Sequence, residues 1–111
     1  MKIHQKQKDE TTVFELQGEL DFHTSPQFRD KLHEVTDKQV PKVLVNLKKV
    51  SYIDSSGLAT FVEALQRFKR YNGKMVLSEL VPAVRSVFEI AKLDSVFTLA
   101  NTDQEATELL A

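Results

Sequence analysis

The spacing of apolar residues changes repeatedly between two periods along the 111-residue chain. Alternation with period two, as in residues 12–18, predicts β-strands. Short apolar runs rich in β-branched residues, as in residues 43–47, are typical of strands buried on both faces. Strands are predicted on these grounds at residues 2–8, 12–18, 43–47 with a continuation over 50–53, 74–78 and 96–99.

Apolar residues spaced three and four apart predict four helices between and after these strands. The first starts at residues 24–26, Thr-Ser-Pro, where a hydroxyl N-cap and a proline favour a helix start, and it ends near Lys38. The second follows residues 54–57 and ends at Asn72-Gly73, where glycine accepts a left-handed C-cap. The third is predicted from Pro82, with Val84, Val87, Phe88 and Ala91 on its inner face, and the fourth over residues 103–110.

Two strands followed by alternating helices and strands predict an α/β fold. Strand–helix–strand units have right-handed crossovers, so we expect a small, mixed, mostly parallel β-sheet with about four helices. The length suits one core, and no repeat or linker interrupts the chain, so residues 1–111 are predicted to form a single domain. The pattern leaves open whether helices cover both faces of the sheet.

Composition narrows the classes of function. Fifteen Lys and Arg balance sixteen Asp and Glu, whereas nucleic-acid binding usually needs a basic excess, so we expect no direct nucleic-acid binding. The absence of cysteine excludes disulfides and thiolate chemistry. No apolar run approaches the roughly 20 residues of a membrane helix, and the first residues do not resemble an export signal. We therefore expect no membrane insertion and a cytoplasmic location.

The common sequence signatures of catalysis are missing. Neither a glycine-rich phosphate loop nor a G-x-S-x-G motif occurs. His4 and His33 fit solvated side chains, and His23, in the loop before the first helix, leaves a contact role open. The three histidines do not stand at metal-ligand spacing, and no general base is placed beside a serine. We therefore expect neither catalysis nor a metal site.

Residues 54–57, Asp-Ser-Ser-Gly, form the strongest candidate site. They follow a buried strand and open an amphipathic helix, which places them at the carboxyl edge of parallel strands, where ligands and partners bind. A helix start also presents unpaired N–H groups, which would partly accommodate a phosphate on serine. The same tetrapeptide is an ordinary turn and helix cap, with Asp54 or Ser55 as the capping residue. The residues alone leave both interpretations open.

A second segment, residues 18–22, also leaves a strand and precedes a helix start. If the two strands are parallel neighbours, both segments lie at the same end of the sheet. Asp21 would then be an exposed acid near the serine loop. Asp21 fits equally well as a residue that only ties its own turn.

Motifs spread over nearly the whole chain resemble those of a STAS domain, in particular the stand-alone bacterial anti-sigma factor antagonists. The serine loop is the most specific part of this resemblance. The matching segments, in order, are Gly18-Glu19-Leu20-Asp21, Thr24-Ser25-Pro26, Val45-Asn46-Leu47, Tyr52-Ile53-Asp54-Ser55-Ser56-Gly57-Leu58 and Gly73-Lys74-Met75-Val76-Leu77.

The resemblance implies a phosphorylation-gated binding module. Such proteins bind a serine-kinase anti-sigma factor and displace the sigma factor from it. The kinase phosphorylates the serine after the motif's aspartate, here Ser55, with Ser56 as the alternative acceptor; the phosphorylated form releases the kinase, and a metal-dependent serine phosphatase resets the switch. Metal and ATP belong to the partners, so no cofactor is expected. The resemblance assigns partner binding to Asp21, Asp54, Ser55, Ser56 and Gly57.

Two other functions stay open. The chain fits a STAS subunit of a membrane transporter or a scaffold of a signalling assembly, in which the serine loop is structural. It also fits a small-molecule or nucleotide binder that uses the same helix start, although the glycine-rich loop is missing.

Two positions depart from the STAS pattern. Ala59 stands where the family often has a second glycine. Ala91-Lys92-Leu93 stands where the family frequently has a glycine before the leucine, which puts the usual C-cap of the third helix in doubt.

Overall fold

Five strands and four helices alternate in a computed structural model that describes residues 1–111. The order of elements is the predicted one, although residues 42–53 form one long strand rather than two short runs. The strands are β1 (Lys2–Lys8), β2 (Thr11–Leu20), β3 (Lys42–Ile53), β4 (Lys74–Ser78) and β5 (Thr98–Ala100). The helices are α1 (Ser25–Asp37), α2 (Ser55–Lys69), α3 (Pro82–Ile90) and α4 (Asp103–Leu110).

The strands form one sheet in the order β1-β2-β3-β4-β5. The hairpin pair β1 and β2 is antiparallel, and the other three pairings are parallel. The mixed, mostly parallel α/β sheet predicted from the sequence is therefore confirmed. Because β2 and β3 are parallel neighbours, the loops that follow them leave the sheet at the same edge.

Helices cover both faces of the sheet. Alternate residues of a strand point to opposite faces, so neighbouring residues of β2 enter different cores. Phe14 belongs to the larger core, which α1, α2 and α3 cover, and Val13 belongs to the smaller core, which lies under Ala106 and Leu110 of α4. The sequence pattern left open whether one or both faces of the sheet are covered, and the structure shows that both are.

β3 extends well beyond the end of β4. Asn46 pairs with Ser78, the last residue of β4, whereas the rest of β3 continues beside β2 as far as the pair of Leu20 with Ile53. The end of this two-stranded extension carries the loops to α1 and α2. The β2–α1 and β3–α2 loops are neighbours for this reason.

The prediction that a hydroxyl side chain caps the start of α1 is wrong. Thr24 occupies the N-cap position but has helical φ and ψ of −99° and −23°, and its side chain makes no cap hydrogen bond. The Thr24 hydroxyl instead accepts from the Asp21 N–H at 2.9 Å and donates to the Glu19 carbonyl at 2.7 Å. Thr24 therefore closes the β2–α1 loop rather than the helix end.

The ends of α2 and α3 also differ from expectation. Asn72, with φ of 60°, takes the left-handed conformation after α2 that was predicted for Gly73. Asparagine tolerates this conformation better than most residues with a side chain. On α3, Val84 and Phe88 are buried as predicted, but Val87 is half-buried and Ala91 is exposed, because the helix ends at Ile90.

The C-cap of α3 is built on a lysine. Lys92 has φ of 59°, in the left-handed region that glycine adopts without steric conflict. The turn is held by the Leu93 N–H, which donates to the Phe88 carbonyl at 2.8 Å, and by the Lys92 N–H, which donates to the Glu89 carbonyl at 3.0 Å. The cap geometry is thus retained without the glycine.

Gly57, in the first turn of α2, packs directly against the end of the two-stranded extension. A Cβ atom at this position would lie 2.7 Å from the Leu20 carbonyl oxygen and 2.7 Å from Cγ1 of Ile53. The missing side chain is therefore what allows α2 to start so close to β2 and β3.

We expect Lys92→Gly to raise the free energy of unfolding by about 1 kcal/mol, because it removes the conflict between Cβ and the left-handed backbone. Urea denaturation followed by circular dichroism measures the change. Lys92→Ala is the matched control, since it keeps Cβ. Equal stability of the two variants would contradict the assignment of strain to this backbone conformation.

We expect Gly57→Ala to lower the free energy of unfolding by about 1–3 kcal/mol, because the new methyl group overlaps the Leu20 carbonyl and the Ile53 side chain. Thermal and urea denaturation measure the loss. Helix propensity alone favours alanine over glycine by about 1 kcal/mol, so a stabilised variant would show that the site has room.

Candidate functional site

The β2–α1 and β3–α2 loops are joined to each other by backbone and side-chain hydrogen bonds. The Asp54 N–H donates to the Leu20 carbonyl at 3.2 Å. The Phe22 N–H donates to Asp54 Oδ2 at 3.0 Å. The two segments that the sequence analysis singled out thus form one unit at the carboxyl edge of the sheet.

Asp54 is the N-cap of α2. Its backbone is extended, and its Oδ1 accepts from the Ser56 N–H at 2.9 Å and from the Gly57 N–H at 3.0 Å. Of the two capping residues that the sequence left open, Asp54 is therefore the one used. The cap also changes one expectation, because these two N–H groups already have an acceptor and are not free to bind a phosphate.

The two serines differ in exposure. Ser55 is the first residue of α2 and is exposed, whereas Ser56 is half-buried. The Ser56 carbonyl also accepts a hydrogen bond from Thr60 Oγ1 at 3.0 Å inside the helix. Ser55 is thus the more accessible of the two hydroxyl groups at this helix start.

Asp21 ties its own turn, one of the two roles that the sequence allowed. Its Oδ1 accepts from the N–H groups of His23 at 2.9 Å and Thr24 at 3.1 Å, and its carbonyl accepts from the Ser25 N–H at 2.8 Å. Partial desolvation would raise the pKa of Asp21, but the bonds from Thr24 and His23 lower it below its usual value. The residue is half-exposed, so these bonds leave it accessible beside the serine loop, and its part in partner binding stays a prediction.

Phe22 is an exposed aromatic residue of the site that the sequence analysis did not single out. It is 72% exposed and packs edge-to-face against His23, with ring centroids 5.7 Å apart. A groove of about 250 Å³ between the starts of α1 and α2 is lined by Phe22, Ser25, Pro26, Arg29, Ser56, Ala59, Thr60 and Glu63. A single aromatic residue in a loop has no periodicity, so no sequence pattern reports its exposure.

His33 does not have the solvated position expected for it. It is half-buried and hydrogen-bonds Glu63, which joins α1 to α2 beside the groove. The hydrogen bond from His33 lowers the pKa of Glu63. His4 and His23 are exposed as expected.

No cluster of three potential metal-ligating side chains occurs, and none of the four helices has the length and apolarity to cross a bilayer.

Known proteins share both the sequence and the fold. The STAS domain family model matches residues 2–106. A protein of Bordetella bronchiseptica named as a candidate anti-sigma factor antagonist, BtrV, is 32% identical over 106 residues, which cover 96% of this chain and 91% of that protein. The anti-sigma-B factor antagonist of Listeria monocytogenes is 29% identical over 105 residues, which cover 95% of this chain and 91% of that protein.

Solved structures of the Bacillus anti-sigma factor antagonist SpoIIAA have the same architecture. The unphosphorylated form matches with a TM-score of 0.77 at 25% identity and covers 98% of this chain and 97% of that one. The phosphorylated form matches with a TM-score of 0.77 at 25% identity and covers 99% of this chain and 100% of that one. Family model, sequence identity and fold therefore agree, and the chain belongs to the STAS domain family.

Proposed function

We propose that this chain is an anti-sigma factor antagonist that is gated by phosphorylation. It binds an anti-sigma factor with serine-kinase activity, which frees a sigma factor, and it is released when Ser55 is phosphorylated. The observation that carries this proposal is the exposed Ser55 hydroxyl at the start of α2, on a unit of two joined loops. The chain acts by binding proteins, without a cofactor of its own and without contacting nucleic acid.

The position of Ser55 supports the proposal that phosphorylation controls partner binding through charge. A phosphate adds about −1.5 to −2 charge units, and Ser55 directly follows the Asp54 carboxylate in the chain. The N–H groups of Ser56 and Gly57 are already bonded to Asp54 Oδ1, so these two groups are not free to compensate a phosphate on Ser55. A partner packed closely on this surface would have to desolvate the new anion, and its affinity falls for that reason.

The relatives support the same proposal. The Listeria relative is named an anti-sigma-B factor antagonist, and SpoIIAA exists in phosphorylated and unphosphorylated forms. Ser55 is favoured over Ser56 as the acceptor because Ser56 is half-buried. The proposal also includes a serine phosphatase that restores the free hydroxyl, and a cytoplasmic location, where sigma factors act.

Phosphorylation is tested by incubating the chain with ATP and each purified serine kinase of the anti-sigma factor type from the source organism. We expect one phosphate per chain at Ser55, identified by mass spectrometry of the peptide that spans Val50 to Arg67. Ser55→Ala abolishes labelling, and Ser56→Ala, the matched control, keeps it. Labelling that survives in Ser55→Ala assigns the acceptor to Ser56, and no labelling of the parent chain by any such kinase rejects the proposal.

Ser55→Asp is expected to weaken kinase binding by about 1–3 kcal/mol, because it places a desolvated charge beside Asp54 in the interface. Isothermal titration calorimetry gives the change, and Ser55→Asn is the uncharged control of similar size. Equal affinities of the Asp and Asn variants would show that charge is not the signal. Stable copurification with a permease instead of a kinase would favour the transporter-subunit alternative, in which the serine loop is structural.

A further inference from the structure

Phe22 differs from the other phenylalanines of this chain in being exposed to solvent. The chain has seven, and the other six are at most 4% exposed: Phe14, Phe28, Phe61, Phe68, Phe88 and Phe97. Phe22 is 72% exposed. A ring of this size in water is unfavourable for the isolated chain, and large aromatic side chains are enriched at the centres of protein–protein interfaces.

The exposure of Phe22 is built into the loop. The Phe22 N–H donates to Asp54 Oδ2. The N–H groups of the next two residues, His23 and Thr24, donate to Asp21 Oδ1, on the residue before Phe22. The backbone therefore presents the ring outwards in one arrangement. A backbone held in this way loses little conformational freedom when a partner covers the loop, which favours binding.

Phe22 and the serine loop form one continuous surface. The same Asp54 carboxylate holds the Phe22 N–H and the N–H groups that follow Ser55, and Phe22 and Ser56 line the same groove between α1 and α2. A stable protein interface covers about 800 Å² on each partner. A kinase that reaches the Ser55 hydroxyl over such an area also covers Phe22.

We propose that Phe22 is the apolar anchor by which the serine-kinase anti-sigma factor recognises this chain, and that the ring enters an apolar pocket beside the kinase's phosphate-transfer site. This inference rests on the proposed function and adds a residue through which the kinase binds. The groove next to Phe22 carries one cation, Arg29, and one anion, Glu63, so its rim is polar and close to neutral. Phe22 thus adds an apolar contact to a polar rim, and Ser55 provides the switch.

The test compares three variants in calorimetric titrations with the serine kinase that labels the parent chain. We expect Phe22→Ala to weaken binding at least about 10-fold and Phe22→Leu, which keeps an apolar side chain, to lose less. Ile90→Ala is the matched control, because Ile90 is 83% exposed and does not line the groove. We expect the affinity of this variant to stay at the parent value. Circular dichroism and thermal melting confirm that each variant is folded.

Labelling kinetics separate binding from the chemical step. Phe22→Ala is expected to reach the parent's maximum rate of Ser55 phosphorylation, but only at a kinase concentration about 10-fold higher. An affinity of Phe22→Ala within about two-fold of the parent, or an equal loss in Ile90→Ala, overturns the inference while the proposed function stands. A parent chain that no kinase binds or labels overturns the proposed function, and the inference with it.

Discussion

The Asp54 carboxylate accepts hydrogen bonds from three backbone N–H groups that belong to two separate segments of the chain. Ser56 and Gly57 donate from the first turn of α2, and Phe22 donates from the β2–α1 loop. Hydrogen bonds to an ionised carboxylate are about twice as strong as those between neutral groups. One side chain thus both starts a helix and holds a neighbouring loop against it, and the geometry of the candidate site depends on this arrangement.

The position of the Asp54 carboxylate at the start of α2 also determines the electrostatic effect of a phosphate added nearby. A free helix start attracts anions through its unpaired N–H groups and its partial positive charge. Here the Asp54 carboxylate already accepts from two of these N–H groups, so a phosphate on Ser55 is added beside an existing negative charge. In the proposed cycle, the modification therefore acts on the surface that a partner would cover, while the fold beneath it has no reason to rearrange.

Local sequence signals were sufficient for much of this architecture. The predicted bounds of β4 and α4 agree with the structure, and the Asp-Ser-Ser-Gly loop was located because capping chemistry lies within four consecutive residues. The predictions that were wrong concern the hydrogen-bond partners of side chains. Thr24 bonds the loop before its helix, and His33 bonds Glu63, thirty residues away in the chain. The partners of Thr24, namely Asp21 and Glu19, are local and depend on how the loop closes. Glu63 is brought to His33 by tertiary packing, which neither periodicity nor propensity encodes.

The exposure of Phe22 could not be predicted from the sequence either. Whether an aromatic side chain in a loop is buried depends on whether other segments of the folded chain pack against it. The two helices beside that loop are bonded to each other. At the far end of the α1–α2 pair, Arg67 bonds Thr36 and Asp37, and the Tyr71 hydroxyl donates to the Val40 carbonyl, so the two helices cannot easily slide past each other. In the proposed cycle, the partner packs on the surface formed by Phe22 and the serine loop, and a phosphate on Ser55 weakens the contact through its charge and its desolvation cost, without requiring a conformational change.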